Sequence, residues 1–313
     1  MKRYYSSIII LLLLYQFSAG QARKIVLLEE ATNASCAPCA TYNPGLQEFY
    51  ATHFGGVVSV RYHAWWPGDD DPMYQANPED NQARIQYYNV QGVPNYQMDG
   101  INHGVPTNPD LIKKQMQENL DKGSPVKIYV DSEKTADSVK AEITLIVLNP
   151  VEATELYLRT GITERMIYYN TAPGTNGETE FACVMRDLLP DADGKPITAL
   201  SPGDTLRYEF SGAVKPMWNW PELGVIAWLQ SDATKEVIQS GMDVPTFIIE
   251  QASDDSIMQI VEPQTLQSKT YTIANDNRDS LEVEIGFSDV QSTGGWSYQL
   301  QHGQWTGEVL HRW

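Results

Sequence analysis

Ile25-Val26-Leu27-Leu28-Glu29-Glu30-Ala31-Thr32-Asn33-Ala34-Ser35-Cys36-Ala37-Pro38-Cys39 joins a short apolar run to a pair of cysteines. The run over residues 25–28 suits a buried strand, and the cysteines fall where a helix is predicted to start, continuing to about His53. Two cysteines at this spacing can close a small disulfide across a first helical turn. Cys36, nearest the helix end, faces unpaired backbone N–H groups and the positive end of the helix dipole, which favour a thiolate. That makes Cys36 the attacking sulfur and Cys39, deeper in the helix, the one that resolves a mixed disulfide. Pro38 lacks an N–H, loses no hydrogen bond so early in a helix and stiffens the turn. Two other readings stand beside this one. An inert structural disulfide is ordinary in exported proteins, and a zinc half-site would have only Cys183 and five histidines left to complete it.

Strand and helix signals alternate around this segment. Residues 57–62 read as the next strand, 65–78 as a polar loop and 79–88 as a second helix. Residues 96–98, the turn Asp99-Gly100 and Ile101 form a hairpin pattern. A last helix opens with Asn108 as cap and Pro109 in its first turn, and puts Ile112, Met116 and Leu120 on one face. The order is β-α-β-α-β-β-α, ending at a boundary near Gly123-Ser124-Pro125. Beyond it, runs at 126–130, 139–148, 155–168, 181–185, 205–210, 224–229 and 236–240 are separated by Gly, Pro and Asp turns, the pattern of a β-sandwich. Strands continue at 270–273 and 281–287, but residues 245–313 are few for a further sandwich and read as a partial, truncated β domain.

The 313 residues carry 40 acidic against 22 basic side chains, a net charge of −18. That argues against nucleic acid as a partner. Three cysteines are too few for a disulfide-stapled scaffold. Residues 1–20 show Lys2 and Arg3, an apolar stretch over 8–14 and small residues before Gly20, the pattern of a secretory signal. The apolar stretch is well short of the roughly 20 residues that a spanning helix needs. Cleavage after Gly20, or alternatively Ala22, takes the net charge to −20, leaves no transmembrane span and sends the remaining cysteines to an oxidising compartment.

Four further marks accompany the cysteine pair: Glu30 six residues before Cys36, Pro44 five after Cys39, Gly92-Val93-Pro94, and Asp99-Gly100. In this order they resemble the thioredoxin-like superfamily. The resemblance implies an α/β thioredoxin-like domain over 21–123, ahead of a β-sandwich over 124–244. It also implies that Glu30 is a buried acid assisting the resolving cysteine and that Pro44 kinks the helix. Val93 and a cis Pro94 would dock an extended substrate and block metal binding. Ala37 stands where the common motif has glycine, and residues 32–35 lack the tryptophans that often precede the first cysteine. The 55 positions from Cys39 to Pro94 imply an insertion around 65–78. The chain up to Val244 is also similar to the outer-membrane-protein-28-related family of Gram-negative envelopes. The matching segments are 26–30, 156–164, 183–190, 225–228 and 234–237. This resemblance implies a periplasmic or outer-membrane-associated location. The expected activity is thiol–disulfide exchange, without metal or cofactor, on protein thiols or disulfides of the envelope, with a partner that recycles the pair. The competing expectation is a non-catalytic envelope binding protein whose CxxC pair is a structural bridge.

Other features have simpler readings beside the functional one. Glu30 could be a strand-end carboxylate facing water. Residues 62–66 with Asp69-Asp70-Asp71 could line a groove or hold calcium, or form a solvated loop with its aromatics inward. Cys183 sits in an apolar pattern and reads as a small buried hydrophobe. Trp218-Asn219-Trp220-Pro221 could stack sugars or tuck into a core edge, and Asn33-Ala34-Ser35 matches a glycosylation sequon.

Overall fold

A computed structural model describes residues 20–53 and 55–243, and the short strand segments 247–249, 273–275, 296–300 and 305–309. The expected signal segment up to residue 19, the run at 281–287 and all but Ile273 of the run at 270–273 lie outside the described residues.

The first strand, β1 (Val26–Thr32), is buried along its whole length, because helices and other strands cover both of its faces. Val26 and Leu28 pack with Leu46, Met98, Ile112 and Met116 on one face. Leu27 and Ala31 pack with Val58, Val60, Ile85 and Trp228 on the other. After β1 come α1 (Ala37–Thr52), β2 (Val57–His63), α2 (Pro72–Ala76) and α3 (Pro78–Tyr87). The hairpin of β3 (Asn95–Met98) and β4 (Asn102–Gly104) and the helix α4 (Pro109–Leu120) follow. Asp99 and Gly100 turn the hairpin with φ of 48° and 72°, the left-handed pair that a tight hairpin turn requires. Asn108 caps α4 by accepting from Leu111 N.

The expected loop over 65–78 contains α2. Asp71 accepts from the amides of Met73 and Tyr74, and Pro72 stands at the first helical position, so a local cap starts a helical turn inside otherwise irregular chain.

Beyond Gly123 the chain is almost entirely strand: β5 (Val126–Lys134), β6 (Ser138–Val147), β7 (Leu156–Tyr168), β8 (Glu180–Leu189), β9 (Lys195–Ile197), β10 (Thr205–Ala213), β11 (Leu223–Ser231) and β12 (Val237–Met242). A mixed sheet runs β12-β11-β7-β8-β2-β1-β3-β4, with β9 beside β7. Here β1 and β2 are parallel, β3 and β4 antiparallel to their neighbours, and β8 meets β2 in parallel at Arg61 and Val184. The sheet therefore crosses the boundary expected at Gly123-Ser124 without a break. A second sheet, β10-β6-β5, faces the larger one over a cluster that includes Ile143, Leu145, Leu158, Val225 and Leu229. The fold is thus mostly β, with a few helices near its first strands.

Lys24 and Asp99 pair inside the protein at 3.4 Å, and Lys24 Nζ also donates to the Val237 carbonyl. Ile25 N donates to Gln239 at 2.8 Å, which ties the chain entering β1 to β12. Past β12, β13 (Phe247–Ile249) pairs with β14 (Ile273–Asn275). A second compact unit, Arg278–Trp313, contains the hairpin of β15 (Trp296–Leu300) and β16 (Trp305–Val309). Among the described residues no helix is long and apolar enough to cross a membrane.

Candidate functional site

The cysteine pair sits at the start of α1, and Cys36 is its N-cap. Cys36 Sγ accepts from Cys39 N at 3.1 Å, taking one of the amides that a helix leaves unpaired at this end. The two residues form a disulfide with their Cα atoms 5.2 Å apart. Asn33 shapes the approach. Its Oδ1 accepts from Ser35 N at 2.8 Å, its carbonyl from Cys36 N at 3.0 Å, and its Nδ2 donates to the carbonyls of Ala64 and Gly68. Opposite the pair, the Val93 carbonyl oxygen lies 3.4 Å from Cys36 Sγ, and the bond from Val93 to Pro94 is cis. Pro38 occupies the first turn of α1 and Pro44 lies inside it.

Cys36 is only 2% exposed and Cys39 fully buried, whereas a free helix tip would leave the first sulfur open to solvent. The Val93 carbonyl lies against Cys36 Sγ, and the connection between β7 and β8, residues 169–179, bonds to the loop ahead of it at Asn33, Ala34, Ser35 and Cys36.

In β1, six residues before Cys36, Glu30 is buried and paired with Arg61 Nε at 2.7 Å, while its Oε1 has no hydrogen-bond partner. Burial pushes the Glu30 carboxyl above the usual range, Arg61 opposes this, and the Glu178 carboxylate adds to it. Arg61 Nη2 also donates to the Asn43 carbonyl at 3.2 Å. Asn43 Nδ2 in turn donates to Thr32 Oγ1 at 3.0 Å and to Glu178 Oε1 at 2.8 Å. One polar chain thus runs from Glu30 through Arg61 and Asn43 to Glu178. Of these four the sequence marks only Glu30, by its spacing from Cys36. The Arg61 signal was available, since it pairs with Glu30 in the parallel register of β1 and β2. Nothing in the sequence around Glu178 points to a cysteine loop more than 130 residues earlier.

Cys183 is buried in β8 with a left-handed φ of 54°, and burial pushes its thiol up to about 11. It is a protonated core thiol at neutral pH. Asp71 accepts from His63 Nδ1 and Ala34 N, both at 2.7 Å, and from the amides that it caps, so its carboxylate is already occupied within the protein. Asn33 of the sequon is fully buried, with its amide used on both sides, and offers no acceptor for a glycan. Trp218 is tucked into the core and Trp220 is exposed, so the two rings make no shared stacking face.

These observations define a mostly β protein on a mixed sheet, with an oxidised CxxC pair at a helix start. No family model matches the sequence, and no curated protein does. Among solved structures, the chain is similar to HBP35 of Porphyromonas gingivalis, at 15% identity and a TM-score of 0.60, over 93% of this chain and 98% of that one. It also matches a protein from Agrobacterium tumefaciens at 15% identity and a TM-score of 0.49, over 78% of this chain and all of that one. A domain of the outer membrane lipoprotein Omp28 from Porphyromonas gingivalis matches at 14% identity and a TM-score of 0.28, over 38% and 86%. The likeness to HBP35 shows a shared fold; the other two scores are too low to bear an argument.

Proposed function

We propose that this chain is an exported, envelope-associated thiol–disulfide oxidoreductase acting on protein substrates. One observation carries the reading: the Cys36–Cys39 disulfide at the start of α1 faces the Val93 carbonyl 3.4 Å from Cys36 Sγ. A backbone edge beside a reactive sulfur can pair with an extended client chain, and the helix start favours the thiolate on Cys36. The order β2-β1-β3-β4 with its parallel and antiparallel pairs supports a thioredoxin-like first half, residues 21–123. The two facing sheets support a β-sandwich second half, residues 124–244. The export signal read in residues 1–20 supports an envelope location.

In the reducing direction, the Cys36 thiolate attacks one sulfur of a client disulfide. The Cys36–client bond forms as the client bond breaks, and the second client sulfur leaves as a thiolate. Cys39, deprotonated with help from Glu30, then attacks Cys36 Sγ, closes the disulfide seen here and releases the first client sulfur. The client gains two electrons and the pair loses two. The oxidising direction runs these steps backwards.

A Cys39→Ser variant keeps the attacking sulfur without the resolving one, so it should accumulate mixed disulfides with envelope proteins through Cys36. If none forms, and the intact protein does not reduce insulin, the proposal fails. The near-complete burial of both sulfurs favours a second reading, in which the pair is a structural bridge in a non-catalytic binding protein. In that case a Cys36→Ser, Cys39→Ser double variant would keep its function.

A further inference from the structure

The connection between β7 and β8 belongs to the β-rich half of the chain, yet it makes its bonds on the cysteine loop. Thr175 N donates to Ser35 Oγ at 3.1 Å, and Asn176 N to the Ala34 carbonyl at 3.2 Å. Asn176 Nδ2 lies within hydrogen-bond reach of the carbonyls of Asn33 at 3.3 Å and Cys36 at 3.2 Å. The same Nδ2 is held by Glu178 Oε2 at 2.5 Å, and the other oxygen of Glu178 accepts from Asn43 in α1. Gly174 lies so close to Ala34 that a Cβ there would collide with its backbone. Cys36, whose carbonyl the strap bonds, is 2% exposed.

We propose that Asn176 is the positioning residue of the cysteine pair: it ties the β7–β8 strap across the 33–36 loop, so that attack on the sulfurs requires the strap to lift. The proposal rests on reading Cys36 as the exchanging sulfur. It makes the second half of the chain part of the rim that a client meets. Asn176 supplies an amide with two donor hydrogens to a region of converging carbonyls, which an alanine cannot do. Loss of its bonds lets the strap open more often without removing any apolar contact of the core.

The test uses the full chain and dithiothreitol. This reagent gives up two electrons and two protons as it closes to its cyclic disulfide, and Cys36 and Cys39 become thiols. Asn176→Ala should be reduced about tenfold faster than the wild type, the change in open population that lost hydrogen bonds of ordinary strength allow. Ser35→Ala, which loses only one acceptor for the strap, should be reduced about twofold faster. Asn108→Ala, which weakens the α4 cap away from the strap, is the control for general destabilisation and should leave the rate unchanged.

The pH profile of Cys36 alkylation in the reduced protein supplies a readout that packing alone would not move. The ionisable groups bonded into the cysteine loop and its surroundings are Glu30 in β1 with Arg61 in β2, Asp71, which accepts from Ala34 N and from His63, and Glu178 in the strap, joined through Asn176 to the Cys36 carbonyl. Glu178→Gln removes a negative neighbour, so its alkylation midpoint should fall by about half a pH unit. Equal reduction rates in wild type and Asn176→Ala, or acceleration matched by Asn108→Ala, would overturn this inference and leave the oxidoreductase reading standing. A wild-type pair that never exchanges with glutathione would end that reading, and the strap would still be judged by its rates with dithiothreitol.

Discussion

Glu30 and Arg61 show how much a single position can reveal and where it stops. The spacing from Glu30 to Cys36 marks the acid, but Arg61, the cation that opposes the upward push of burial, lies on another strand and emerges only once β1 and β2 are in register. Asp187 gives a residue-scale test of the same electrostatics. Burial, and then the neighbouring Asp80 carboxylate, push its carboxyl up to about 6. A group that holds its proton more tightly in the folded state costs nothing below its unfolded value of about 3.8. It lowers stability as pH rises from there through about 6. Asp187→Asn should therefore gain thermal stability relative to the wild type between about pH 4 and pH 7, with the difference levelling off above. A constant difference across that range in thermal unfolding would contradict the assignment.

The elements that were legible are those with a local cause. Asn108 with Pro109 announces α4, and Asp99-Gly100 announces the hairpin, because cap and turn chemistry act within a few residues. Replacing Asn108 by Ala should lower stability by about 1 kcal/mol, read as a shift in the urea midpoint; an unchanged midpoint would show that the cap is not needed. The short helix α2 escaped because its cap, Asp71, reads as one of three acidic residues until its bonds to Met73 and Tyr74 are seen. The strap over the cysteine loop escaped for a different reason: it carries no periodicity, and its partners, in the loop after β1, lie about 140 residues earlier in the chain.

At the scale of the whole molecule, sequence distinguishes an α/β start from a β-rich continuation, but it does not show that β8 joins β2 to make one sheet. Arg84 of α3, which is almost fully buried, links the strands on either side of this seam, β1 and β11. It pairs with Glu29 at 2.6 Å, donates to Gln230 of β11, and lies against the rings of Tyr87, Tyr88 and Trp228. Arg84→Ala leaves Glu29 buried without its cation and should lower stability by about 3–5 kcal/mol; a loss below about 1 kcal/mol in denaturant unfolding would mean the seam is held elsewhere. The central claim concerns what this assembly does with its two sulfurs, and the reduction potential of the Cys36–Cys39 pair, measured against glutathione in the full chain, tests it most directly. A working couple should lie above about −300 mV, while a value below that would make the pair a structural bridge and contradict the proposed activity.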